Sequence, residues 1–417
     1  MSSPVWHPFT QHGLDEPIPL VSHAEGAALF TADGRRIIDA ISSWWVTTHG
    51  HRNSRIMQAI AEQAQKLDQI IFAGWTHEPA EAVARALIAI LPEPLRHVFF
   101  SDSGSTSVEV ALKMALGFWA NRGEPRHRIL VLDHGYHGDT IGGMSVGARG
   151  VFNAAYAPLL FDVGSLPFPY AGHEQATLDR LEAFCRAADA PAALIVEPLI
   201  LGAGGMLIYA PQVLVEMRAI CARHHVLFIA DEVMTGWGRT GSLLACDQAG
   251  VAPDIICLSK GLTGGALPLA VTVASPEIFE AHRSTDRSKM FFHSSSYTAN
   301  PIACAAASAN LEIWRDEPVI ERVATLSALQ RTHLDRIAAL PGVSNARQIG
   351  TITALELGAG NSDYLSALGP GLMALFRERD LLLRPLGNTI YVMPPYCIDP
   401  ADLETVYDAI AEAAAGK

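Results

Sequence analysis

Three short stretches hold residue types that can do chemistry. "DIICLSKGLTGG" (Asp254–Gly265) sets Lys260 behind four apolar residues and in front of a glycine cluster. A lysine at the end of an apolar run either snorkels to water or is held inside for its amine. "FIADEVMTGWGRTG" ends another apolar run with Asp231–Glu232. A carboxylate there faces the crevice where open α/β sheets bind ligands, although a lone Asp also serves as an N-cap or an ion-pair partner. "FSDSGSTSVE" places Ser103, Gly104 and Ser105 between a strand and a helix. Free N–H groups and the helix dipole at such a junction suit a phosphate as readily as a plain cap suits the chain. Singly, each stretch is weak. Together they are the parts that hold pyridoxal phosphate: an amine for its aldehyde, a carboxylate to keep the pyridine nitrogen protonated, and a helix start for the phosphate. The Ser103–Ser105 junction carries neither G-x-G-x-x-G nor a Walker sequence, so a dinucleotide or ATP is not expected there.

Strands alternating with helices must position these residues. "HVFF" precedes a helical pattern in which Val108, Ala111, Leu112, Ala115, Leu116 and Trp119 share one face. "RILVLD", "ALIVEPLI", "VLFIADEV", "DIICLSK" and "PLAVTVAS" read as short buried strands, and "VLVEMRAICARHH" as a helix between two of them. Continuous apolar strands of this kind predict a mostly parallel α/β sheet covered on both faces. The ends read differently. "ALFTADGRRIIDAIS" suggests short strands around Asp33–Gly34, and "LLLRPLGNTIYVMPP" two strands around a Gly387–Asn388 turn. Asp399–Pro400 opens a last helix. The expected organisation is an N-terminal segment (1–50) that joins a small α+β domain, a large domain (51–311), and the C-terminal part of the small domain (312–417).

Bulk composition narrows the function classes. The chain of 417 residues is 49% hydrophobic and 18% charged, ordinary for a globular protein. A net charge of −13 argues against a nucleic-acid partner, which needs a basic face, but leaves room for an anionic small substrate met by a few arginines. The six cysteines form no C-x-x-C and read as reduced, buried thiols of a cytoplasmic protein. "MSSPVWHPFT" lacks the basic end and apolar core of a signal peptide, and no uncharged apolar run reaches the roughly 20 residues of a membrane span. No metal site is expected.

The motifs "DSGSTSVEVALKMA", "GYHGDTIGGMSVG", "EPLILGAGGM", "IADEVMTGWGRTG", "LSKGLTGG" and "YTANPIACAAA" resemble those of the class III aminotransferases, of pyridoxal phosphate fold type I. "WHPFTQ", "DAISSWWVTTHGH" and "RPLGNTIYVMPP" are similar to the biotin-pathway branch, which moves the amino group of S-adenosylmethionine onto 8-amino-7-oxononanoate. The resemblance implies Lys260 as cofactor anchor and proton-moving base, Asp231 at the pyridinium nitrogen, Gly104 and Ser105 at the phosphate, and Tyr136 stacked on the ring. It implies a homodimer with shared active sites, in which Ser295 and Ser296 reach the neighbouring subunit's phosphate. It implies an apolar wall at Trp44 and a carboxylate clamp at Arg384, with Trp45 left to core packing. Asp139 and Arg239 match positions near the substrate entrance.

Two residues depart from the branch pattern. Phe9 stands where many S-adenosylmethionine users carry tyrosine, and relatives with "FTQ" include users of lysine as donor; those relatives tend to lack the first tryptophan of "SSWW", which this chain keeps. Ser294 replaces a glycine whose backbone touches substrate, and Ser295–Ser296 stand where Pro-Thr is often found. S-adenosylmethionine is the expected donor. The alternatives are lysine with the same acceptor, another class III ω-aminotransferase acting on a diamine or β-amino acid, and an aminomutase.

Overall fold

Six of the seven strands in the main sheet run one way, with only Ala270–Ala274 antiparallel to its neighbours. The computed structural model describes residues 3–358, 366 and 368–416. The strands lie in the order His97–Ser101, Ala270–Ala274, Ile255–Leu258, Leu227–Asp231, Ala193–Val196, Ile129–Leu132, Gly164–Leu166. Five of them are buried at every residue, which is why their sequences are continuous apolar runs and not alternating ones. Their side chains divide by the pleat. Ile129, Ile195, Ile229 and Ile255 pack with Val108, Ala111, Leu112 and Trp119 of the helix Gly104–Asn121. Leu130, Leu194, Phe228 and Ile256 face the helices Glu174–Arg186 and Pro211–Arg223, through Leu181, Leu214 and Met217.

The two ends of the chain meet. Val21–Glu25, Ala28–Thr31 and Arg36–Asp39 form an antiparallel ribbon, to which Leu381–Leu382 adds in parallel beside Ile38 and Asp39. A cluster holding Ile38, Ile41 and Trp45 also holds Leu355, Tyr391, Val406 and Ile410, so the N-terminal and C-terminal parts share apolar packing. Two details differ from the sequence reading. The Gly387–Asn388 turn is present, bridged by Leu386 and Thr389. However, its flanking strands do not pair as a hairpin: Thr389–Val392 joins Ile352–Leu357 in a separate sheet. The competing partner strands offer longer ladders than the two residues Leu381–Leu382 can. Secondly, Cys397 is exposed while the other five cysteines are buried, because it lies in the loop leading to the last helix. Among the described residues no helix is long and apolar enough to cross a membrane.

The last helix, Pro400–Ala415, begins as its sequence requires, with the Asp399 carboxylate accepting from Ala401 N at 2.8 Å and proline in the first turn. Asp399→Ala should cost about 1 kcal/mol, read as a lower thermal midpoint with turnover unchanged; an unaltered midpoint would show the cap to be idle.

Candidate active site

The parallel strands bring their C-terminal ends to one edge of the sheet, and the polar residues gather there. Leu227–Asp231 ends in Asp231, Ala193–Val196 is followed by Glu197, and Ile255–Leu258 by Ser259 and Lys260. His97–Ser101 leads into the helix that starts at Gly104. They border a cavity that opens to solvent. Of the residues singled out in the sequence, the cavity wall contains Phe9, Trp44, Gly104, Ser105, Tyr136, Asp231, Lys260 and Arg384.

Lys260 does not snorkel away from the protein. Its backbone is left-handed, with φ 49°, and begins the short 3-10 turn Lys260–Thr263. That conformation costs a lysine about 1–2 kcal/mol and aims its side chain back into the cavity wall. The ammonium lies 5.0 Å from the centroid of the Trp45 ring. Burial pulls its pKa down to about 8, with Asp231 and Glu197 opposing that shift and Arg239 adding to it. A large fraction of the amine is therefore uncharged at mildly alkaline pH, as a nucleophile or base requires.

Asp231 is held rigidly. Oδ2 accepts from His137 Nδ1 at 2.7 Å, and Oδ1 accepts from Val233 N at 3.1 Å. Burial opposes a charge on His137 and the Asp231 carboxylate favours one; the net direction is upward. Glu197, also buried, accepts from Tyr136 N at 3.0 Å and Gly202 N at 2.9 Å. Desolvation raises its pKa to about 7. Burial is also the main cause that raises the Tyr136 phenol, with Asp139 next.

The phosphate expectation at Gly104–Ser105 meets a specific test. Ser103 caps the helix through a reciprocal bond pair with Thr106. Within the described residues, Gly104 N and Ser105 N carry no such partner. A Cβ on Gly104 would lie 2.6 Å from Val233, and one on Gly138 would lie 2.2 Å from Ser105 Oγ, so both glycines keep the cradle open. Orphaned N–H groups at a helix start, a fixed carboxylate and a lysine of lowered pKa fit a phosphorylated pyridine aldehyde. Among the described residues no group of three His, Cys, Asp or Glu could hold a metal ion.

The outer part of the cavity is aromatic. Phe9 lies 5.5 Å from Trp44 and 6.0 Å from Phe152, centroid to centroid. The Arg384 guanidinium lies 5.5 Å from the Trp44 ring and donates to Phe9 O at 2.9 Å. Trp44 is carried by an unusual backbone: Ser42, Ser43 and Trp45 all have positive φ, between 53° and 65°. At about 1–3 kcal/mol each, these residues need an external anchor. Asp39 supplies it, accepting from Ile41 N, from Ser43 N at 2.9 and 2.7 Å, and from His51 Nε2 at 2.8 Å. Trp45 is 5% exposed, as core packing requires, yet it also floors the cavity.

Other expected positions lie elsewhere. Arg239 does not line the cavity. It is 1% exposed, and its guanidinium donates to Pro394 O, Thr47 O and Trp45 O beneath the floor. Gly238 and Gly241, with φ of 88° and 106°, flank it where the loop turns. Gly236–Gly241 also spells G-x-G-x-x-G, but it forms successive turns and opens no helix, so it lacks the geometry of a dinucleotide turn. Asp139 is exposed at the rim of an adjoining cavity, and its N–H donates to Ser105 Oγ at 3.2 Å. Ser294, Ser295 and Ser296 are outside the cavity of their own chain, where Ser295 Oγ donates to Asp102 and Ser296 O accepts from Gln69. Sequence reasoning missed His137, Glu197, Val233 and Asp39. Glu197 carried the same signal as Asp231, a carboxylate directly after a buried strand.

Comparison with known proteins agrees with this geometry. The family described as aminotransferase class-III matches residues 10–414. The adenosylmethionine-8-amino-7-oxononanoate aminotransferase of Synechococcus elongatus is 49% identical, over 98% of this chain and 97% of its own length. The protein of that name from Mycobacterium leprae is 38% identical over 98% and 94%. Among solved structures, the enzyme of that name from Methanocaldococcus jannaschii superposes with a TM-score of 0.93 at 33% identity, covering 99% of this chain and 97% of that one. An amine transaminase from an uncultivated Pseudomonas species, solved with pyridoxal phosphate bound, gives 0.93 at 32% identity and covers 100% and 99%.

The lowered pKa of Lys260 has a consequence for stability. Below about pH 8 the folded cofactor-free chain holds a desolvated ammonium; between about 8 and 10.5 only the unfolded chain keeps that proton, so stability rises with pH. Lys260→Met should therefore stabilise the cofactor-free protein at pH 7, by about 2 kcal/mol after discounting for solvent reaching the cavity. Thermal unfolding across pH checks this. The gain should vanish by about pH 10.5, and a pH-independent gain would contradict it.

Proposed function

We propose, from the premise that this chain belongs to the class III aminotransferase family and is a pyridoxal-phosphate-dependent transaminase, that it transfers the amino group of S-adenosylmethionine to 8-amino-7-oxononanoate, giving the 7,8-diamino product of biotin biosynthesis. The two half-reactions follow one another at one site, with the amino group held on the enzyme between them. The observation that carries this reading is the pairing of a charged, aromatic mouth, Arg384 against Trp44 and Phe9, with an inner end formed by Lys260 and Asp231. The cofactor, when bound, supplies an electron sink for the carbon that loses its proton.

The chain's own residues do the rest. Gly104 N, Ser105 N and the start of their helix orient the phosphate. Asp231, fixed by His137 and Val233, holds a proton at the pyridine nitrogen. Lys260 anchors the cofactor and moves the proton at the reacting carbon. Tyr136, fixed through its N–H by Glu197, covers the ring. The acceptor presents an apolar chain ending in a carboxylate, which suits the Trp44 wall and the planar, charged Arg384 side chain. The donor carries a sulfonium cation, which suits the faces of Phe9 and Trp44. The nucleoside suits the adjoining cavity, which shares Tyr136 and Phe152 with the first. Lysine as donor is the second reading, favoured by the absence of a hydroxyl at Phe9.

We further propose that the protein works as a cytoplasmic homodimer, divided near residues 50 and 311, in which Ser295 and Ser296 reach the neighbouring subunit's phosphate and Ser294 reaches its substrate. The exposed Ile71, Trp75, Phe292 and Tyr297 around that turn support a covered surface. A holoprotein that sediments as a fully active monomer would remove these serines from the site.

Separate reactions with S-adenosylmethionine, lysine, diamines and β-amino acids, each with 8-amino-7-oxononanoate, test the substrates. Only S-adenosylmethionine should yield the diamine and bleach the cofactor's visible absorbance; product with lysine alone would select the second reading. Arg384→Ala should raise the acceptor KM about 10- to 100-fold and leave the rate of donor bleaching near wild type.

A further inference from the structure

The left-handed turn that carries Lys260 has a buried support to which no role has been given. Asn310, on the helix Pro301–Asp316, is fully buried. Its Nδ2 donates to Gly261 O and to Leu262 O, each at 3.0 Å, so one amide group holds two successive carbonyls of the Lys260–Thr263 turn. Its Oδ1 faces His49 Nε2 at 3.0 Å. His49 belongs to the segment that follows the tryptophan pair, and the neighbouring Thr48 N donates to Gly264 O. Asn310 thus stands between two walls of one cavity, the lysine turn and the loop that carries Trp44 and Trp45.

The chemistry of each partner orients the amide. Burial drives the His49 pKa down to about 4, so its ring is neutral across the working range. A neutral ring that donates from Nε2 can only be met by the amide oxygen, which turns the amide nitrogen toward the two carbonyls. The turn has little freedom of its own. A Cβ on Gly261 would lie 2.8 Å from Trp237, and one on Gly265 would lie 2.7 Å from Val46. A small shift of the turn would therefore meet close-packed neighbours or open toward the cavity.

We propose that Asn310 is a positioning residue, which through Gly261 and Leu262 sets where the Lys260 amine stands and how far it is kept from water. This rests on the reading of Lys260 as the reacting lysine. Asn310 does not line the cavity, and its effect reaches the chemistry only through the lysine turn. Asp231 and Glu197 favour charge on the amine while burial and Arg239 oppose it, so loosening the turn tips that balance toward the charged form.

Asn310→Ala tests the proposal with two readouts. In the cofactor-free chain, the pH dependence of Lys260 labelling by an amine-reactive reagent, followed by peptide mass mapping, should shift its midpoint from about 8 toward about 10.5. In the holoprotein, kcat should fall about 10- to 100-fold while both KM values stay near wild type. An unchanged labelling midpoint, or an unchanged kcat, overturns the proposal even if the thermal midpoint falls. If Asn310→Ala does not fold, His49→Gln replaces the ring that orients the amide and should move both readouts in the same direction. Failure of the underlying reading is separate: Lys260→Ala would then turn over normally, whatever Asn310 does.

Discussion

The site depends on keeping one primary amine partly out of water at the edge of a parallel sheet. A fully solvated lysine would be protonated throughout the working range and could serve neither as nucleophile nor as base. The fold meets this demand by ending the strand Ile255–Leu258, every residue of which is buried, at the point where Lys260 turns left-handed into the cavity. Desolvation alone would make the ammonium costly, and Asp231 and Glu197 moderate that cost. The result is an amine with a pKa of about 8, close enough to neutrality to exchange protons in either direction.

The same economy recurs around it. Each strained or charged element is fixed by a buried polar group. Asp39 holds the positive-φ residues Ser42, Ser43 and Trp45, and so sets the Trp44 wall. Glu197 ties Tyr136 to Gly202, and His137 holds Asp231. Arg239 binds three carbonyls under the floor. Hydrogen bonds to charged groups contribute about 1.5–3 kcal/mol each, which is the range needed to hold residues in left-handed conformations.

Much of this was legible in the sequence, because the strands that end in Asp231 and Lys260 are continuous apolar runs and the cap at Ser103 is spelled out locally. The resemblance of "SSWW" and "RPLGNTIYVMPP" to one branch of the class III family pointed to Trp44 and Arg384, which do meet in the structure. What escaped was the residue whose role comes from distant partners. Asn310 lies in an alanine-rich helix with no motif, and only the fold brings it to the lysine turn. Arg239 sat in a motif, but its burial depends on where the loop turns, which local sequence does not specify. The strands Leu381–Leu382 and Thr389–Val392 flank a good turn, yet each found a better partner in another sheet.

The central claim is that Lys260 is the amine that anchors the cofactor. Treating the purified yellow protein with borohydride, digesting it and mapping masses locates the cofactor on the chain directly. The account predicts a single pyridoxyl-phosphate adduct on the peptide that contains Lys260. An adduct on Lys66, Lys113 or Lys289 with Lys260 unmodified would contradict it.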